Sequence, residues 1–153
     1  MEMCVMNRMK SWGRWVPLLL LFPLLSGCGL GYKLKAKAWG EILQNEVDAK
    51  IKNVSDTMKQ RKSAAFTDAA IKNQLLTTLE EVENTLLDLQ LEIPEDGPSH
   101  HKNLIDGVQL LLESVEAAQS GLKYGNREKI DEFQEKAGRA GSKLKRWGDA
   151  VRG

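Results

Sequence analysis

The residue types able to do chemistry are few in this chain and sit in two places. There are two cysteines, Cys4 and Cys28, and two histidines, His100 and His101. Cys28 closes a distinctive stretch. Arg8, Lys10 and Arg14 give a positive start, and an apolar run over residues 15–25 follows, broken only by Pro17 and Pro23. Ser26 and Gly27 then lead to the thiol. A basic start, a short apolar run and small residues make a secretory signal peptide with a cleavage site. Residues 1–27 are expected to be cut away between Gly27 and Cys28. An uncleaved transmembrane helix would need about 20 apolar residues, well beyond this run. A signal cut elsewhere and a buried core segment are the other readings. Met1, Met3, Met6 and Met9 each offer a start.

The tetrapeptide Leu25-Ser26-Gly27-Cys28 closely resembles the lipobox of bacterial lipoproteins. The resemblance covers residues 8–28. It implies that Cys28 carries fatty acyl chains such as palmitate and becomes the first mature residue. The chain would then be anchored by lipid at the extracytoplasmic face of the cell membrane. It implies nothing about activity, and it does not reveal which membrane of the cell envelope is meant.

Cleavage changes the composition that matters. The full chain has 22 Lys+Arg and 21 Asp+Glu, and residues 1–27 remove Arg8, Lys10, Arg14 and Glu2. The remainder carries 19 basic against 20 acidic residues, so no bulk positive charge draws it to nucleic acid. Cys4 leaves with the signal and Cys28 is lipidated, so no thiol remains for a disulfide or a cysteine metal site. Packing alone must hold the fold.

The second place is the loop Pro94-Glu95-Asp96-Gly97-Pro98-Ser99 with His100 and His101 behind it. Glu92, Glu95, Asp96, His100 and His101 are the weak metal candidates of the chain. Their spacing matches no metal motif. Carboxylates beside a helix N-terminus are favourable without any ion, which is sufficient to explain them. Di-iron bundles use Glu-x-x-His pairs, and none occurs here. Cys-x-x-Cys-His, Gly-x-Ser-x-Gly and phosphate-binding glycine loops are absent as well. The expectation is a non-enzyme with no cofactor.

Four periodic segments must position whatever the chain presents. The first, over 32–60, repeats apolar residues at Ala36, Trp39, Leu43, Val47, Ile51, Val54 and Met58, the spacing of one helix face. After a connection at 61–65, with Ser63 or Thr67 as cap, comes a stripe of Ile71, Leu75, Leu79, Val82, Leu86 and Leu89, widened by Leu76, Leu87 and Leu91. Pro94 stops it, because the residue before a proline avoids helical backbone. The third segment, capped by Ser99, has Leu104, Val108, Leu111, Val115, Ala118 and Leu122. Gly125 suits a left-handed terminus, and Asn126 suits the cap of the fourth. That segment repeats at Ile130, Phe133, Ala137, Ala140, Leu144, Trp147 and Val151. Its small residues Ala137, Gly138, Ala140 and Gly141 offer a surface for close helix approach. No stretch alternates with the period of a strand.

Helices of roughly 24–29 residues with short connections favour antiparallel neighbours. The expected architecture is all-α, an up-down-up-down four-helix bundle over 32–153, after the signal peptide 1–27 and a lipidated tether 28–31. Two hairpins pairing between protomers is the alternative, and so a homo-oligomer stays open. Up-down topology brings Lys33, Lys35, Lys37, Lys145 and Arg146 to the membrane-proximal end, facing Glu92, Glu95 and Asp96 there. The far end carries Lys59, Arg61, Lys62, Lys123, Tyr124 and Arg127. The leading functional expectation is a membrane-anchored, non-catalytic interaction module that meets an envelope or membrane protein. A bundle sensing a small ligand or metal, and an oligomeric structural envelope lipoprotein, are the alternatives.

Overall fold

The computed structural model describes residues 30–61 and 64–153. The signal peptide, its cleavage site at Gly27 and Cys28, and Ser63 lie outside the described residues. Two compact units divide the chain, Met1–Lys35 and Ala36–Gly153. The second holds the bundle.

The described elements are all helical. They run α1 (Leu30–Ile42), a π-helical segment (Leu43–Asp48), α2 (Ala49–Gln60), the single turn α3 (Ala64–Thr67), α4 (Ala69–Glu92), α5 (His101–Tyr124) and α6 (Arg127–Arg152). The expected first segment is thus one continuous helical arm with a π stretch in the middle. The pattern of its apolar residues explains that stretch. Trp39, Leu43, Val47 and Ile51 follow each other at steps of four. On a regular α-helix each such step overshoots a full turn by about 40°, so the stripe would wind away from the core. The wider π turn cancels the drift, and all four side chains are buried.

The helix boundaries follow from local chemistry. Between α3 and α4, Asp68 is extended, and its carboxylate accepts from the amides of Ala70 at 2.9 Å and Ile71 at 3.2 Å. The cap of α4 is therefore Asp68. Thr67 ends the preceding turn instead. Ile93, extended before Pro94, ends α4. Ser99 does not cap α5: the cap position is His100, in helical backbone, and the His101 amide donates to the Pro98 carbonyl at 2.8 Å. The α5–α6 turn matches expectation. Gly125 is left-handed at φ 67°, and the Asn126 side chain accepts from the amides of Glu128 and Lys129.

Side-chain bonds fix the direction of each neighbouring pair. In α5 and α6, Asp106 meets Lys143 and Glu113 meets Lys136. In α4 and α5, Glu83 meets Gln119 and Gln90 meets Gln109. Both pairs are antiparallel. Lys50 of α2 reaches Glu81 of α4 at 2.8 Å. The unit is an all-α helical bundle in which α5 is the most buried helix.

Nearly every stripe residue is buried, including Phe133, Leu79, Leu86, Leu104 and Leu122. Two expectations fail. Leu87 and Leu91 do not widen the core face of α4; they are 43% and 87% exposed. Gly138 and Gly141 do not receive a neighbouring helix, since a Cβ at either would meet nothing within 4 Å. The close approach uses glycines of α5 instead. A Cβ on Gly107 would fall 2.6 Å from Leu144 Cδ2, and one on Gly121 would fall 2.5 Å from Ile130 Cδ1. The reason is rotational. Ala140, fully buried, marks the inner face of α6, and Gly138 and Gly141 lie beside it on the exposed side.

Candidate functional site

The histidines and the proline loop meet at one end of the bundle. His101 is 2% exposed. Its Nε2 lies 2.6 Å from the Pro94 carbonyl oxygen. A carbonyl can only accept, so Nε2 carries the proton and donates. The ring of Trp39 tilts at 49° against the imidazole, with centroids 6.1 Å apart. Gly97 also lies against it, where a Cβ would come within 2.5 Å of His101 Cγ and 2.8 Å of its Cβ. Nearby, Gly40 of α1 lies against the buried ring of Trp147. Trp39 and Trp147 are therefore core residues of this end.

The weak metal candidates are consequently separated in role. His101 is a buried pin that ties the loop to the helix start. Glu95 and Asp96 are exposed on the loop, and His100 is half-buried. Among the described residues no group of three or more His, Cys, Asp or Glu is arranged to hold a metal ion. The sequence showed a proline- and glycine-rich loop seven residues before a histidine. It did not show that the imidazole would turn back onto the first proline.

This pin carries a stability prediction. Gly97→Ala forces the loop away from His101, because the clash falls on the ring base and Cβ rather than on a flexible tip. His101→Ala removes a buried ring and leaves the Pro94 carbonyl without its donor, a loss of about 2–4 kcal/mol. Thermal unfolding is expected to shift down in both variants. Limited proteolysis is expected to open first within residues 93–100.

The α5–α6 seam carries an ionic ladder that sequence reading missed, because the two pairs that cross between the helices, Lys136 with Glu113 and Lys143 with Asp106, join residues far apart in the chain. Lys136 Nζ lies 2.9 Å from Glu132 Oε1 and 3.1 Å from Glu113 Oε2. Lys129 meets Glu132 at 2.6 Å and Lys143 meets Asp106 at 2.6 Å. Hydrogen bonds from Lys129 and then Lys136 hold the Glu132 carboxyl down at about 2. The bonds from Lys136 and Gln109 lower that of Glu113. The bonds to Glu132 and Glu113 raise Lys136.

The signs give a pH window. Carboxyls depressed on folding stabilise the fold above their ordinary range, and this is lost as pH falls from about 4.5 toward 2. The raised Lys136 stabilises below its ordinary value and loses this as pH rises above about 10.5. These groups are partly exposed, so solvent keeps the contribution small. Melting curves are expected to fall on acidification below pH 4.5, and Glu132→Gln is expected to flatten that decline. An unchanged acid limb in the variant would remove Glu132 from the explanation.

The basic residues divide between the two units. Lys33 and Lys35 are exposed on α1 in the first. Lys37 is exposed in the second, as are Lys145 and Arg146 on the last turns of α6. At the opposite end of the bundle, Lys72 Nζ donates to the Lys123 carbonyl at 3.3 Å, which joins the start of α4 to the end of α5. Tyr124, beside it, is 82% exposed. No helix among the described residues is long and apolar enough to cross a membrane. Comparison of the chain with family models, curated proteins and solved structures gives no match.

Proposed function

We propose that this chain is an extracytoplasmic lipoprotein, anchored through Cys28, whose bundle is a non-catalytic interaction module. The observation that carries the reading is the sequence from Arg8 to Cys28: a basic start, a short apolar run and Leu-Ser-Gly before a cysteine. The bundle supports it. Its two buried polar side chains among the described residues, His101 and Ser114, both bond backbone carbonyls. They serve packing rather than a reaction.

The physical mechanism is tethering. Two acyl chains anchor stably where one is marginal. Eight residue steps separate Cys28 from Ala36, a reach of at most about 29 Å. The bundle thus works close to the bilayer, where confinement raises its effective concentration toward an envelope or membrane protein. In this reading Lys33, Lys35, Lys37, Lys145 and Arg146 are membrane-proximal cations. Each adds about 1 kcal/mol beside anionic head groups, offset in part by Glu92, Glu95 and Asp96.

Metabolic labelling with an alkyne analogue of palmitate tests the anchor. Label is expected on the wild-type protein and absent from Cys28→Ala. Equal labelling of both, or none on either, would contradict it.

A further inference from the structure

The bundle leaves two neighbouring leucines of α4 in solvent, Leu87 and Leu91. Single exposed apolar residues are ordinary, but these stand one turn apart on one face. Helix geometry explains their place. Leu79, Val82, Leu86 and Leu89 are buried and mark the inner face of α4. At about 100° per residue, Glu80, Asn84, Leu87 and Leu91 fall on the opposite side, in steps of four, three and four. All four are exposed, so no described element covers this face. The steps are those by which one helix lies along another.

The charge of the face has one sign. From Asn73 to Glu92, α4 contains no Lys or Arg and carries Glu80, Glu81, Glu83, Asp88 and Glu92. Two of these are engaged at the edges of the helix. Lys50 of α2 reaches Glu81, and Gln119 of α5 donates to Glu83. Glu80, Asp88 and Glu92 are exposed around the leucines and form no ion pair among the described residues.

The helices packed against α4 do not reverse that sign. On α2, the exposed Lys52 and Lys59 are matched by Asp48 and Asp56. On α5, Lys102 and Lys123 stand at the two ends, with the exposed Glu116 between them. Lys145 and Arg146 belong to α6, which packs on α5. The loop after α4 adds Glu95 and Asp96.

An apolar strip set in negative charge selects its occupant. A second copy meeting it through the same face would oppose Glu80, Asp88 and Glu92 to their own counterparts. Anionic head groups would be repelled likewise. A cationic amphipathic helix satisfies both features: its apolar side chains lie along Asn84, Leu87 and Leu91, and its Lys or Arg residues meet the flanking carboxylates. We infer that the outer face of α4 docks a Lys/Arg-rich amphipathic helix of a partner protein. The inference rests on the interaction-module reading and gives the partner its chemistry. Lipid at Cys28 is measured separately, so either idea can fail alone.

Fluorescence anisotropy with a labelled synthetic helix tests it on the full-length purified protein. The probe carries leucines at steps of three and four with lysines beside them. One control replaces the lysines by glutamates, and another keeps the lysines but replaces the leucines by glutamines. Binding of the probe is expected to weaken about tenfold or more in Leu87→Gln/Leu91→Gln and in Asp88→Lys/Glu92→Lys. It is expected to stay unchanged in Asp56→Lys/Asp131→Lys, which alters exposed carboxylates elsewhere. The substituted side chains are exposed, and circular dichroism checks that each variant is folded. No binding to wild type, insensitivity to either α4 variant, or equal binding of the leucine-free control would overturn the inference. Crosslinking to a dimer that is lost in Leu87→Gln/Leu91→Gln would assign the face to a second copy instead. Capture of Cys28→Ala protein on phosphatidylglycerol vesicles, lost in the same leucine variant, would assign it to lipid. Either result would overturn the inference equally.

Discussion

Phe133→Ala is expected to lower the unfolding free energy by about 3–5 kcal/mol, the range seen when a buried aromatic ring is truncated. Phe133 is the largest side chain with no exposed surface among the described residues. It lies on the inner face of α6 in the longest helix pairing of the bundle, and glycine-mediated contacts at Gly107 and Gly121 flank it along α5. Helices held that closely cannot collapse to fill the void, so the cavity cost adds to the lost transfer energy. For a domain of this size the melting temperature should drop by roughly 10–20 °C. A drop below a few degrees would mean that α6 packs differently.

The glycines give a second large effect, and one whose sign depends on position. In a helix interior, Gly→Ala ordinarily gains about 0.5–1 kcal/mol. At Gly138 and Gly141 a new methyl meets nothing within 4 Å, so both substitutions are expected to stabilise by that amount. At Gly107 the same methyl would lie 2.7 Å from Leu144 Cγ, near the root of that side chain. Leu144 or the spacing of α5 and α6 must shift to relieve this contact. Gly107→Ala is therefore expected to destabilise by about 1–3 kcal/mol, despite its better helix propensity. Chemical denaturation of the three single variants measures all of these. A stabilised Gly107→Ala would show that the α5–α6 spacing is looser than described.

These glycines also show what could be read from the sequence and what could not. Stripes such as Leu104–Val108–Leu111–Val115–Ala118–Leu122 encode both a helix and its buried face, because periodicity and burial share one geometric cause. Gly125 and Asn126 were legible for a similar reason: φ above zero and an unsatisfied first turn each select a residue type. Composition alone pointed to Gly138 and Gly141 as the close-packing surface. The choice between them and Gly107 depends on how far each helix is rotated about its axis, and no single helix records that. Leu87 and Leu91 failed likewise: apolar residues at the margin of a stripe turn inward only if a neighbour stands there. The π stretch left a mark in the repeated steps of four from Trp39 to Ile51, a signal that periods of three and four taken together hide. The bond from His101 to Pro94 needed the loop's path, which depends on the packing of Trp39 and Gly97.

The anchor and the bundle divide the work in the proposed function: lipid fixes where the protein acts, and the rigid helices decide what surface it presents there. The most direct test is intact-mass analysis of the protein purified from membranes, followed by fragmentation of its N-terminal peptide. A mature chain beginning at Cys28, with mass added on that residue for a thioether-linked diacylglycerol, is the expected result. A chain that retains residues 1–27, or one that begins at Cys28 with an unmodified sulfur, would contradict the anchoring on which the functional reading stands.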